Sequence, residues 1–480
     1  MHHASTPQIG GKIRRLRRQR RISQADLAAA LAISPSYLNL IEHNRRKITV
    51  TLLFKFAGYF GIEAGELAQS DDSQLLGDLM ELFGDDIFAD CDLTNLDIRD
   101  LAFSNPLAAR AVLRLFDKYR QATTVQASAH QASAGQAAAG NDKPQEKNRY
   151  HHATDAISDF IQENANHFAE LESAAERVRA DIDNASDSFE LGLRTYLSNV
   201  FGLTWRLASL PRGIARRVSS DAHILEISDI LPPETAMFSI AHHLGLLAAQ
   251  SQIEDIIAQS SLAEDDAPAL ARNVLASYFA AALIMPYGPF LKACEQYRYD
   301  IERIARHFGA SFEQVCHRMT TMQRPGAQGM PLHLIRTDIA GNISKRFSLS
   351  GIHIPRHSGA CPRWNVYSAF LQPGRINIQL SQMPDGEIYF CIARSFEKGG
   401  FRHNAQRRNF SIGLGCHISH ASRMIYSDGV DLGNASQIVP IGVGCRICPR
   451  MQCEQRAHPP ADHRFEINDK VRSESLYGRI

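Results

Sequence analysis

Three cysteines crowd one stretch near the C-terminal end, GVGCRICPRMQCEQRAHPP at residues 442–460. Cys445, Cys448 and Cys453 form C-x2-C-x4-C. A C-x2-C pair brings two thiolates to one ion from a tight turn, and a third cysteine one turn on fills a third corner. Structural zinc and iron–sulfur clusters normally take four ligands. Candidates for the fourth are Cys361 in SGACPRWN and Cys416 or His417 in GLGCHI. Cys361, in a glycine-containing loop and followed by proline, is favoured. The spacing reverses the plant-type C-x4-C-x2-C iron–sulfur run, while a zinc ribbon would want a second C-x2-C. Both centres stay open, as does a plainer role for three reduced thiols in packing. Arg446, Arg450 and Arg456 lie beside them, and their charge favours thiolate. The total of nine cysteines is odd, and the crowding of three near the C-terminal end fits a cytosolic metal or redox site better than disulfides.

A second constellation is defined by what it lacks. FSIAHHLGLLA at 238–248 starts a buried helix, and its register invites comparison with the HExxH zinc helix. There two histidines four apart hold the metal and the glutamate activates water. LASYFAAALIMP at 275–286 resembles the segment that follows the zinc helix in the ImmA/IrrE metallopeptidase family, which begins with an acidic ligand. Here His242 matches the first histidine, but His243 stands for the glutamate, Leu246 for the second histidine and Leu275 for the acidic ligand. One imidazole cannot hold a catalytic zinc, which needs three protein ligands. The expectation is a peptidase-like fold that has lost its chemistry, with no catalytic residue and with His242 and His243 as a core or pocket pair. Such a fold keeps a cleft, here between the helix at His242 and the one at 278–285, and a cleft emptied of its metal is a natural ligand pocket.

A third set of residues suits nucleic acid. Lys12, Arg14, Arg15, Arg17, Arg18, Arg20 and Arg21 precede SQADLAAALAISPSYLNLIEHNRRKIT at 23–49. Ser23 caps a helix with Asp26 three residues on, a variant of the capping box. Leu27, Ala30 and Leu31 share a face of it. Ser34 caps a second helix with Pro35 at its first position. Two short helices across a four-residue turn spell helix-turn-helix. The segment resembles the phage-repressor (XRE/Cro) class, whose five helices would end near Leu67. That resemblance rests on Gln24, Ala28, the turn at Ile33–Ser34, and Glu42. It implies that the second helix enters the major groove. Ser34, Ser36, Tyr37 and Asn39 would then read base edges, and Gln24, Asn44, Arg45 and Arg46 would meet phosphates or flanking bases. A plain helical bundle with a charged face is the alternative.

The elements that carry these residues can be read in outline. The chain has 480 residues, 44% of them apolar, and a net charge of +1, so the basic character is local to the N-terminal module. No run of about 18 uninterrupted apolar residues is present, and the Arg-rich start has no apolar signal region, so no membrane partner is expected and the location reads as cytoplasmic. Residues 71–120 read as a helical extension, with Asn105 capping a helix at Pro106, able to enlarge the DNA-binding domain or to form a dimer contact. Residues 121–149, rich in Ala, Gln, Ser and Gly, read as a flexible linker. ATDAISDFIQENANHFAELESAAERVRADI, from 153, reads as a long helix or helical hairpin, FELGLRTYLSNVFGL as a helix, and LTWRLA and HILEIS as strands. After about Met330 the runs HLIRTDIAG, ISKRFSL, RINIQLSQM and EIYFCIARSF alternate as antiparallel strands. Residues 395–400 read as a loop, and GLGCHISHASRMIY as a return to helix.

The whole arrangement resembles one bacterial group, the short-chain fatty acyl transcriptional regulators, on SPSYLNLIEHNRR, YFAAALIMP, ACPRWNVY and above all GCRICPRMQCEQRAHPP. The fold this implies is multidomain and mainly α with an α+β C-terminal part. A five-helix helix-turn-helix domain fills 1–70 and the helical extension 71–120. The linker follows, then a degenerate, helical, zincin-like ImmA/IrrE domain at 150–325 and an antiparallel-strand Cys-containing sensor domain at 326–480. The resemblance implies a sequence-specific transcription regulator of short-chain acyl metabolism: acetate through the glyoxylate bypass, or propionate through the methylcitrate cycle or carboxylation. Its partners would be double-stranded operator DNA and an acyl-CoA effector, with the protein a homodimer or higher oligomer. The competing readings are an iron–sulfur or redox-sensing regulator and a repressor-linked zinc metallopeptidase.

Overall fold

The computed structural model describes residues 10–458 apart from 21, 43–45, 47, 63–71, 89, 90, 92, 94, 117, 120–143, 212, 220–222, 261, 263–266, 357–359, 400–406 and 447. The fifth helix expected near Leu67 and most of the expected linker lie outside the described residues.

The N-terminal module contains helices Gly10–Gln19, Gln24–Ala30, Pro35–Glu42 and Val50–Phe60 around Ile13, Leu27, Leu38 and Phe56, all fully buried. Its boundaries follow local chemistry. Ser23 Oγ accepts the Asp26 amide at 3.1 Å, and Thr49 accepts that of Leu52. Gly61, left-handed at φ 64°, ends the fourth helix, and Arg20 donates to the terminal carbonyls of Tyr59 and Phe60. Helices Asp72–Phe83, Asn95–Ser104 and one over 106–116 form a small second core with Leu79, Ala102 and Ala109, and Asn95–Ser104 packs on Gly10–Gln19.

The sequence expected as one long helix or a hairpin is two helices, Pro144–Glu163 and Ala169–Ala185. Ala165 and Asn166 take positive φ between them and turn the chain. Next come helix Phe189–Phe201 and strands β1 (Thr204–Ala208), β2 (Arg216–Ser219) and β3 (Ile224–Ser228), in the order β1-β3-β2. β1 runs parallel and β2 antiparallel to β3. The helices Pro233–Ala248 and Ala267–Ile284 pack against each other, with Gly245 so close to Phe279 that a Cβ would meet its ring at 2.9 Å. Ala267–Ile284 is long and apolar enough to span a membrane by composition, but it is a core helix here, with Leu275, Ala276 and Phe279 fully buried. Inside this core Arg318 donates to both carboxylate oxygens of Glu172 at 2.6 and 2.9 Å, and Tyr278 Oη adds a third bond. The pair is tolerable only because the lone pairs and donors are so fully used.

The C-terminal sheet has six strands in the order β5-β4-β8-β7-β6-β9: β4 Leu332–Asp338, β5 Ile343–Ser348, β6 Asn377–Gln382, β7 Ile388–Lys398, β8 Arg408–His417 and β9 Ile438–Pro440. All pairs are antiparallel except β6–β9. Alternation divides its two faces. Leu332, Leu334, Phe390, Ile392, Ile412 and Leu414 join the core of the preceding helices, so the peptidase-like and sheet regions share one apolar interior. Ile335, Tyr389, Cys391 and Ala393 face a second layer containing Cys361, Trp364 and Ile441. Two sequence expectations fail here. Residues 395–398 belong to β7 rather than a loop, because Ser395–Lys398 pair with Ser411–Arg408. GLGCH is the end of β8 rather than a helix, and the rest of the stretch turns into two short 3-10 helices, Ile418–Arg423 and Ile425–Ser427. Gly413 and Gly415 are in that strand because Val366 and His333 press on it: a Cβ would meet them at 2.5 and 2.6 Å.

Candidate functional site

On the recognition helix Pro35–Glu42 the fold separates two faces. Leu38, Ile41 and Glu42 are buried, while Ser34, Ser36 and Asn39 are exposed and Tyr37 is half-buried. Ser34 Oγ accepts the Tyr37 amide at 3.1 Å and so caps the helix. Gln24 is turned inward: its amide donates to Glu42 Oε2 at 2.8 Å, beside Arg17, which grips the same carboxylate at 2.6 and 2.9 Å. By accepting these bonds Glu42 raises the Arg17 pKa. Arg46 is exposed, and Asn44 and Arg45 lie outside the described residues. Sequence periodicity passed over Leu40, which is 40% exposed and four residues beyond Ser36 on the same face. Its signal was an apolar residue out of phase with Leu38 and Ile41.

At the zinc-like positions a guanidinium stands against the matched histidine. Arg216, on β2, donates to Nδ1 of His242 at 2.8 Å and to the Ser239 carbonyl at 2.9 Å. His242 Nε2 then carries the proton and donates to Asn273 O at 3.1 Å. Burial first, and then Arg216, pushes both His242 and His243 down to about 4, so both imidazoles are neutral near pH 7. Leu246 is half-buried and Leu275 fully buried, and neither hydrocarbon side chain has a donor atom for a metal. Among the described residues no carboxylate pairs with Arg216, and burial lowers its own pKa. Sequence reading missed Arg216 because RRVS shows no apolar alternation.

The cysteine loop lies along the outer layer of the sheet. Cys361 N–H donates to Val443 O at 2.9 Å and the Trp364 indole to Gly442 O at 2.9 Å, which brings Cys361 beside the C-x2-C turn. Gly442 lies so near Cys448 that a Cβ would approach its sulfur to 2.8 Å. Arg450 ties the loop to the carbonyls of Gln382, Met383 and Ile441, and the buried Arg456 donates to those of Cys445, Cys448 and Arg450. Sulfur atoms receive backbone donors: Ala457 N–H to Cys445 at 3.4 Å, Arg363 and Gly442 to Cys361, and Arg450 to Cys448. Amides aimed at sulfur are what a metal-bound thiolate uses. The expectation that neighbouring arginines would favour thiolate at Cys448 meets a larger opposing effect. Burial raises its pKa, although the Arg450 amide, Arg456 and Arg450 pull it down. Burial likewise raises Cys361, with Cys445 and Cys448 adding to it. Among the described residues no group of three His, Cys, Asp or Glu side chains closes around one point. Cys416 and His417 are elsewhere: Cys416 lies near Cys391, and His417 bonds to Glu387 at 3.0 Å.

A reader helix, a peptidase-like core with an arginine at its metal position and a cysteine-bearing sheet together define a helix-turn-helix DNA-binding regulator. Known proteins agree. Residues 13–67 match the profile described as Helix-turn-helix, 207–320 the IrrE N-terminal-like domain, and 321–477 the Short-chain fatty acyl coenzyme A regulator, C-terminal. The chain is 34% identical over 469 residues to the HTH-type transcriptional regulator PrpR of Mycobacterium tuberculosis, covering 98% of this chain and 95% of that one. It is 35% identical over 474 residues to RamB of the same organism, covering 98% of each. It is also 36% identical over 460 residues to the Propionyl-CoA carboxylase regulator of Cereibacter sphaeroides, covering 96% of each. A solved structure of a Mycobacterium tuberculosis transcriptional regulator is 38% identical, with a TM-score of 0.65, and covers 69% of this chain and 99% of that one. The chain belongs to the short-chain fatty acyl coenzyme A regulator family and is a DNA-binding transcriptional regulator.

Proposed function

We propose that this regulator reads operator DNA through Ser36, Tyr37 and Asn39. Leu40 would lie against a thymine methyl group, and Asn44, Arg45 and Arg46 would meet phosphates or flanking bases. Ser34 and Gln24 act by holding the recognition helix in place. The observation that carries this is the division of the helix: polar Ser36 and Asn39 exposed, Leu38 and Ile41 buried. The protein acts in the cytoplasm as a homodimer or higher oligomer on genes of short-chain acyl metabolism. A short-chain acyl-CoA is the effector. Helices Pro233–Ala248 and Ala267–Ile284 close on each other where the sequence led us to expect a cleft, and the half-buried Arg216 beside His242, with no carboxylate partner among the described residues, supports that position as the place for an anionic group of the effector. No catalysis is expected there. Cys361, Cys445, Cys448 and Cys453 would hold an iron–sulfur cluster or zinc; the first supplies redox sensitivity, the second a structural tie. The amides directed at Cys361, Cys445 and Cys448 favour that reading over free thiols.

Operator binding measured with and without acetyl-CoA, propionyl-CoA and free CoA tests the effector. Affinity that none of the three alters would overturn it. Metal and sulfide analysis of anaerobically purified protein, then of single Ser variants at the four cysteines, tests the centre. Each variant should release the same metal, because a shared centre is lost as a unit. Protein without metal, and four variants of unchanged thermal stability, would return these cysteines to packing.

A further inference from the structure

Past β5 the chain runs as an extended segment whose side chains alternate between two neighbours. Ile352 and Ile354 are buried in the layer that also holds Cys361, Trp364 and Ile441. His353 and Arg356 instead face the helical extension. The imidazole of His353 lies directly on Gly77 of helix Asp72–Phe83, where a Cβ would come within 2.1 Å of its Nδ1. The Arg356 amide donates to Glu81 Oε2 at 2.7 Å and its Nε to Asp78 Oδ1 at 3.0 Å. The same guanidinium takes Asp159, on helix Pro144–Glu163, in a two-pronged grip at 2.9 and 2.7 Å. Gln162 of that helix in turn exchanges two hydrogen bonds with the Ser348 backbone at the end of β5. One arginine thus joins three parts of the chain, and helix Asp72–Phe83 continues through Asn95–Ser104 to the first helix of the DNA-reading module.

We propose that residues 352–356 are a latch that couples the cysteine layer to the DNA-reading module. Ile352 and Ile354 sense the packing of that layer, and His353 and Arg356 grip or release helix Asp72–Phe83. The grip is made of charge taken out of water. Burial pushes Asp78 up to about 6 against the pull of Arg356 and Arg346, and His353 down to about 4 against that of Glu81. Arg356 meets its carboxylates, while both ring nitrogens of His353 are buried without a hydrogen-bond partner among the described residues. His353 therefore grips by packing alone, and moving Arg356 would leave Asp78 buried and unpaired. A fit that admits no methyl group at Gly77 makes the junction steeply sensitive to small shifts of the 352–356 segment. The latch rests on the protein being a DNA-binding regulator, but neither on which metal the cysteines hold nor on which ligand is the effector.

Hydrogen exchange on the full chain, for the wild type, Gly77→Ala and Arg356→Gln, tests the grip. Alanine favours helix over glycine, so Gly77→Ala can release the helix only by blocking its seat. Both variants should lose at least tenfold protection at 72–83 and 350–356, with 267–284 unchanged. Wild-type protection at 72–83 in both would overturn the latch. Should Arg356→Gln also loosen β7, Gly77→Ala decides alone, since Gly77 lies outside that sheet. Operator affinity in the released variants is the second readout. A change of at least threefold from wild type supports the coupling, and a smaller one overturns it. A wild-type protein that binds no DNA would instead overturn the regulator reading itself.

Discussion

Arg216 Nη1 lies 2.8 Å from Nδ1 of His242, and the opposite nitrogen of that ring lies 3.1 Å from the Asn273 carbonyl. With Nδ1 accepting from an arginine and Nε2 donating its proton, His242 has no lone pair to offer a metal. The guanidinium also sets a positive charge where a cation would otherwise go. We therefore expect any zinc in the protein to be insensitive to His242→Ala. Metal analysis of wild type and variant checks this, and loss of one stoichiometric zinc on that change would refute it.

Base reading and phosphate binding should separate cleanly on this reader. Asn39→Ala is expected to relax base preference and lose about 1–3 kcal/mol at one base pair. Arg45→Ala should weaken binding to every sequence and lower the salt slope by about one, because one fewer counterion is released. Titrations of specific and random DNA at several salt concentrations give both numbers. Equal effects of Asn39→Ala on the two DNAs would remove it from base readout.

The turn between the two reader helices places Ala32 at φ 56°, where a Cβ is strained. Ala32→Gly should stabilise the N-terminal module by about 1 kcal/mol. Thermal unfolding followed by a probe in that module would show it, and a lower midpoint would count against the left-handed turn.

His333 is buried between Ser350 Oγ at 2.8 Å and Cys391 Sγ at 3.5 Å, and burial pushes its pKa from 6.5 down to about 3. The unfolded ring takes a proton below pH 6.5 and the folded ring does not. This group's contribution is therefore complete above that pH and is lost as pH falls toward 3. Between pH 6 and 4, stability of His333→Gln should fall with pH by about 1.4 kcal/mol per unit less than that of the wild type. Denaturant unfolding across that range measures the two slopes, and parallel slopes would place the wild-type proton elsewhere.

Much of the fold was written locally. Ser23, Ser34 and Asn105 cap helices in the structure as their spacing announces, because a cap needs only an amide two or three residues away. The apolar runs in HLIRTDIAG, ISKRFSL, RINIQLSQM and EIYFCIARSF mark β4 to β7, and β4 and β7, packed between two layers, are buried on both faces. Where a strand's partners lie far away and its own side chains carry no period, the sequence is silent. RRVS forms β2 only against β3, and IVP forms β9 only against β6. Gly413 and Gly415 look like helix-loop punctuation until β7, His333 and Val366 close on them.

The site divides the same way. By itself the sequence determined that a reader helix stands on Ser34 and Pro35, that the HExxH ligands are missing, and that three cysteines crowd one turn, because each is a matter of residue type and near spacing. Only the tertiary structure decided that Gln24 turns to Glu42, that Arg216 meets His242 and that Cys361 comes beside Cys445 and Cys448. It also decided that Arg356 holds Asp78 and Asp159 together. Each of these joins residues 18 to 278 positions apart. Their meeting depends on which apolar faces bury against which, and that choice is made by the whole packed core rather than by any stretch of chain.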